Sequence, residues 1–216
     1  MKTISKTLIA MLVVFSLCLS MGAIAFANDY PVYSEWAKAE VLAAEENGLT
    51  HDLHDDLRGN MFRERAVELL VKLVEKVTNT AIESSDAQIF DDVPTTIYRP
   101  IFDTINKAYA IGITKGVGNG KFDMDRDVTR EEFAVMLHRA FSYIERTTGK
   151  KYLENTSDLS AFADKDEVSD WAVEAMGTLA KAEIMLGKQG KKLDPKGTIS
   201  VEQGIVLSYR SFLLMK

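Results

Sequence analysis

The sequence is nearly without cysteine: one occurs, Cys18, inside an apolar run near the amino terminus. A disulfide within one chain is thereby excluded, as is a thiolate metal cluster. Histidine occurs three times, tryptophan twice and proline four times. No Ser-His-Asp or Cys-His spacing is legible, so covalent catalysis finds no support, and neither cofactor nor metal is expected. Blocks of positive charge are also missing. Lysine and arginine number 26 against 32 acidic residues, a net charge of −6, which argues against a nucleic-acid partner.

Three short patterns suggest sites and fail on spacing. Asp123-x-Asp125-x-Asp127 resembles a calcium loop, but Val128 stands where the turn needs glycine and Ala134 where a bidentate glutamate belongs. Gly116-x-Gly118-x-Gly120 follows a helical pattern rather than a strand, with the wrong spacing for a dinucleotide loop. His51 and His54 with Asp55 and Asp56 read as a solvated polar loop, and His138 as a helix residue that packs or faces water.

What is present begins with a leader. Lys2 and Lys6 precede an apolar stretch from Leu8 to Leu19, and Ala25-Phe26-Ala27 places small residues where a signal peptidase reads, so cleavage is expected before Asn28. The apolar stretch is short for a membrane span, and Leu17 before Cys18 argues against lipid attachment. An exported protein follows, with no membrane span in the mature chain.

The remainder repeats itself. Ser34-Glu35-Trp36, Tyr98-Arg99-Pro100 and Ser169-Asp170-Trp171 each lead, thirteen positions after Trp36, Pro100 or Trp171, to Leu49, Ile113 and Ile184. Ile113 and Ile184 are each followed, fifteen residues on, by Val128 and Ile199. Phe90-Asp91-Asp92 corresponds to Phe162-Ala163-Asp164, and Asp29 falls at the matching place before Trp36. Helical spacing of apolar residues recurs in Ala66, Leu69, Leu70, Leu73, Val74, then in Phe133, Met136, Leu137, Ala140, Phe141, Ile144, then in Ile205, Tyr209, Phe212, Leu213. Each unit therefore reads short helix, glycine-containing loop, long helix. The repeats are expected over 28–78, 90–146 and 162–216, with polar linkers at 78–88 and 147–160.

The order Phe-x-Asp, Trp, Gly-Ile-x-x-Gly, Phe-Asp or Leu-Asp-Pro, then Val128-Thr129-Arg130-Glu131-Glu132-Phe133-Ala134 resembles the S-layer homology domain. The second unit matches best, the third clearly, and the first is degenerate, with Met61-Phe62-Arg63-Glu64-Arg65 in place of the Thr-Arg-x-Glu motif. The resemblance implies a mainly α fold: three helix-loop-helix repeats in a pseudo-threefold assembly around a central three-helix bundle. It also implies a non-catalytic anchor whose inter-repeat grooves take up secondary cell-wall polysaccharide, often pyruvylated, on the surface of a Gram-positive-type bacterium. Another surface protein is a further possible partner. The alternatives are an exported protein-interaction scaffold that has lost glycan binding, and an exported hydrolase.

The motif residues divide by chemistry. Thr129 with Glu132, and Ser200 with Gln203, fit capping boxes. Arg130 is not explained by capping, because a cation in a first turn opposes the helix dipole. A guanidinium suits a pyruvyl carboxylate; the other readings are an exposed arginine or a pair with Asp92 or Asp164. Arg63 is its match in the first repeat, whereas the third has Val201, so at most two grooves are expected to be competent. Trp36 and Trp171 offer a sugar-binding face or a core anchor. Asp29, Asp92 and Asp164 cap a helix or orient an arginine, and Gly116 and Gly187 end helices at positive φ.

Overall fold

The computed structural model describes residues 32–50, 53, 55–154 and 156–216. The leader at 1–27, Asp29, His51 and His54 lie outside the described residues. Among the described residues six α-helices follow in order: α1 Lys38–Glu46, α2 Arg63–Thr78, α3 Arg99–Ala110, α4 Arg130–Thr148, α5 Val173–Lys181 and α6 Val201–Met215. Among the described residues there are isolated β-bridges but no named strand. The fold is mainly α, with a short and a long helix in each repeat.

Local chemistry sets the helix limits. Thr129 Oγ1 accepts the Glu132 amide while the Glu132 side chain returns to the Thr129 amide, and Ser200 with Gln203 does the same for α6. The first repeat has neither, since Phe62 precedes α2 and donates no side-chain cap. Pro100 occupies the first turn of α3, where its missing N–H costs nothing. Gly48, Gly112 and Glu183 hold the same position just past α1, α3 and α5, all at positive φ. Gly116 and Gly187 do not end helices as expected. They lie farther along, where a Cβ would strike the rings of Phe90 and Phe162 and the carbonyls of Lys121 and Lys192.

The predicted apolar faces of α2 and α4 are buried throughout. In α6 the expected Leu213 is exposed, and burial extends instead to Val201, Val206, Leu207, Ser208, Ser211 and Met215. This helix is covered on several sides, so a single stripe describes it poorly. The spans expected to be linkers are docked. Ser85 and Ala87 carbonyls accept from the buried Asn106 amide, and Glu145 Oε1 accepts the amides of Tyr152 and Leu153.

Packing between repeats runs in one direction around the molecule. The short helix of one repeat lies on the long helix of the preceding one: α3 on α2, α5 on α4, α1 on α6. Helix α2 packs also on α4 and α6. Ahead of the long helices, the Met61 amide donates to the Ile199 carbonyl, Ile199 to Val128 and Val128 to Met61, each at 2.9 Å, closing a ring. The next amides continue the pattern. Arg63, Arg130 and Val201 donate to the carbonyls of Arg126, Gly197 and Gly59, and Glu64, Glu131 and Glu202 to those of Met124, Pro195 and Leu57. Amides that a helix start leaves unpaired are thus satisfied by a neighbouring repeat, which ties the three units into one cooperative fold.

Candidate functional site: the seams between repeats

Three seams result, each formed by the start of a long helix, the loop of the following repeat and that repeat's short-helix region. The first joins repeats one and two, the second joins two and three, and the third joins three and one.

Arg130 occupies the second seam and is only 4% exposed. Its Nε donates to the Leu193 carbonyl at 2.7 Å and its Nη1 to Gln203 Oε1 at 3.0 Å. Arg63 repeats this in the first seam, with Nε on the Phe122 carbonyl at 2.9 Å and Nη1 4.0 Å from Glu132 Oε1. Its guanidinium also lies over the Phe122 ring. Burial pulls both guanidinium pKa values below their usual range, and nearby carboxylates act against that pull. Neither arginine is exposed, and no Asp92 or Asp164 ion pair is formed, which corrects both alternative readings of Arg130. Each arginine holds the following repeat's loop through a backbone carbonyl.

The aspartates complete that clasp. Asp92 accepts the amides of Phe122 and Asp123, and Asp164 those of Leu193 and Asp194, all at 2.8 Å. Burial opposes both charges, but the backbone amides outweigh it and leave each carboxyl below its usual pKa. Neither caps a helix. They bind the same residue, Phe122 or Leu193, whose carbonyl receives the arginine, so Asp92 and Asp164 position the arginines through one peptide unit.

Behind Arg130, and behind Val201 in the third repeat, comes a glutamate whose role the sequence did not reveal. Glu131 accepts the Ser169 amide at 3.0 Å, its hydroxyl at 3.1 Å and Lys196 Nζ at 2.7 Å. Glu202 accepts the Ser34 amide at 2.7 Å and hydroxyl at 2.8 Å. The signal was in the repeats, which carry Ser-x-Trp twice and Tyr98-Arg99-Pro100 once. Trp171 and Trp36 stand two residues beyond these serines and are 57% and 54% exposed, so they are not core anchors. Asp123 pairs with Arg126 at 3.1 Å and Asp127 accepts from Asn60 Nδ2 at 2.7 Å.

The model of the S-layer homology domain matches residues 89–134 and 161–200. The chain is 29% identical over 102 residues to an endoglucanase of Bacillus sp. (strain KSM-635), covering 47% of this chain and 10% of that protein. It is 22% identical over 149 residues to a surface layer protein of Brevibacillus choshinensis, covering 67% and 13%. With an exoglucanase XynX of Acetivibrio thermocellus it shares 26% identity over 186 residues, covering 84% and 16%. The chain spans a small fraction of each of these relatives. The first repeat lies outside the matched stretches, yet Met61, Arg63 and Glu64 take the same places in the hydrogen-bond ring as their counterparts. Residues 89–134 and 161–200 thus carry S-layer homology domains, and the stretch from Met61 to Glu64 repeats their backbone pairing.

Proposed function

We propose that the protein is a non-catalytic anchor that binds secondary cell-wall polysaccharide, pyruvylated at some residues, on the outside of a Gram-positive-type wall. S-layer homology domains anchor proteins to the cell wall, and the relatives include a surface layer protein and a middle cell wall protein as well as matched regions of an endoglucanase and an exoglucanase. The observation that carries the reading is the second seam. There Trp171 stands exposed two residues beyond Ser169, the half-exposed Lys196 side chain reaches Glu131 and that serine, and Arg130 lies buried on the Leu193 carbonyl. A sugar ring stacks on the indole and an acidic substituent meets the lysine, while the buried Arg130 holds the loop that shapes the seam and contributes its charge without touching the ligand. Arg63, Trp36, Asp92 and Asp164 serve the same ligand through their places in the other seams or in the clasp, and Asp29 is assigned by repeat position alone.

The test is calorimetric titration of the protein with pyruvylated polysaccharide and with the same polymer after mild acid removal of the ketal. Binding to the first, weakened at least about tenfold by ketal removal, by Trp171→Ala and by raised salt, is expected. Equal binding of both polymers would remove the anionic part of the proposal. No binding of either, in a folded protein, would favour the interaction scaffold.

A further inference from the structure

The first seam departs from the other two in a specific way. Glu64 stands where Glu131 and Glu202 stand, since all three donate their amides to the neighbouring loop. Its carboxyl has lost every partner that the counterparts keep. Tyr98 occupies the place of Ser34 and Ser169, and its side chain turns outward, 71% exposed. Asp125 occupies the place of Lys196, because Met124 and Pro195 accept the equivalent amides one residue earlier. The Oε2 atom of Glu64 is buried with no hydrogen-bond partner. Burial first, and the charge of Asp125 in addition, push this carboxyl up to about 7.

A cavity of about 420 Å³ opens beside it, walled by Tyr98, Pro100 and Ile101 of the second repeat and by Leu69 and Ile205. Its other charges are matched: Arg65 pairs with Asp55 at 3.3 Å and Lys72 with Glu68 at 3.1 Å. Among the described residues, Glu64 Oε2 is left buried without a hydrogen-bond partner, and the charge of Arg65 offsets only part of its burial. In the second seam the same glutamate is satisfied by an ammonium, a hydroxyl and an amide N–H, all supplied by the protein itself.

We infer that the cavity between α2 and α3 is a binding site for an amine-bearing sugar, whose ammonium and neighbouring hydroxyl take on Glu64 the places that Lys196 and Ser169 take on Glu131. The ring lies against Tyr98 and Pro100, an apolar wall of the right character for a sugar face. The site thus selects for positive charge, in contrast to the anion-binding character of the second seam. It rests on the polymer reading only for its biological source, because a free amino sugar tests it alone.

The experiment is a titration of the isotope-labelled protein followed by NMR at pH 7, with D-glucosamine and, separately, N-acetyl-D-glucosamine. Glucosamine is expected to shift amides of the first turn of α2 and of residues 98–104 saturably, and the acetylated sugar to bind at least about tenfold more weakly. Glu64→Gln should weaken glucosamine by about tenfold or more. Asp125→Lys, which places an internal ammonium where the second seam has one, should abolish it, with thermal melts showing that both variants fold. Absence of saturable shifts with glucosamine, equal affinity for the two sugars, or indifference to both substitutions would overturn the inference. Retained glucosamine binding with no binding to walls would defeat the polymer reading and leave this one standing.

Discussion

The second and third seams are built on the same backbone pattern, yet one is pinned by a buried guanidinium and the other by an apolar side chain. In the second, Arg130 reaches Gln203, the third residue of the next long helix. In the first, Arg63 approaches Glu132, again the third residue of the next helix. By the same register Val201 looks toward the third residue of α2, which is Arg65. An arginine at 201 would meet a like charge. By register, then, the seam that carries a cation at the third helix position has an apolar residue where the other two have an arginine.

The largest expected effect comes from breaking the pinned seam. Arg130→Ala strands the buried Leu193 carbonyl and removes a packed side chain, at a cost of about 3 kcal/mol. Denaturant titration should show it, and Arg130→Lys should recover only part. An arginine at position 201 sharpens the comparison: Val201→Arg should cost about 2 kcal/mol, and adding Arg65→Glu should restore at least half. Additive effects in that double-mutant cycle would show that the two positions do not face each other.

The titrating groups distinguish the seams by pH. Asp92 and Asp164 have folded-state pKa values below their unfolded ones, so they stabilise fully above the unfolded value, and that contribution disappears as pH falls through the folded value. Glu64 behaves oppositely. Its folded pKa, about 7, exceeds the ordinary 4.5, so it favours folding least above pH 7 and stability declines as pH rises between those values. Glu64→Gln should accordingly raise the melting temperature at pH 8 and leave it nearly unchanged at pH 4; an equal gain at both would contradict a buried, ionising carboxylate. The smallest effect concerns Glu183, which sits at φ 57 where the other repeats have Gly48 and Gly112. Glu183→Gly should stabilise by about 0.5 kcal/mol in thermal unfolding, the relief of left-handed strain exceeding the added chain entropy.

Much of the architecture was legible because it depends on periodic patterns. The apolar faces of α2 and α4, the two capping boxes and the equivalence of Leu49, Ile113 and Ile184 all follow from spacing. The seams were less legible because their bonds run between residues far apart in sequence, many through backbone carbonyls that carry no side-chain signature. Arg130 could be picked out by its unfavourable place near the helix dipole, but its partner, the Leu193 carbonyl, could not. Glu64, Glu131 and Glu202 looked like ordinary first-turn acids, since that is where helices favour negative charge. Only their differing neighbours, Tyr98 against Ser169 and Asp125 against Lys196, set them apart.

The central claim is that this protein holds a wall polymer, and co-sedimentation of the purified protein with isolated walls, before and after acid extraction of the secondary polysaccharide, tests it most directly. The account predicts that protein pellets with intact walls and stays in solution once the polymer has been removed. Equal pelleting with extracted peptidoglycan, or no pelleting with either, would contradict it.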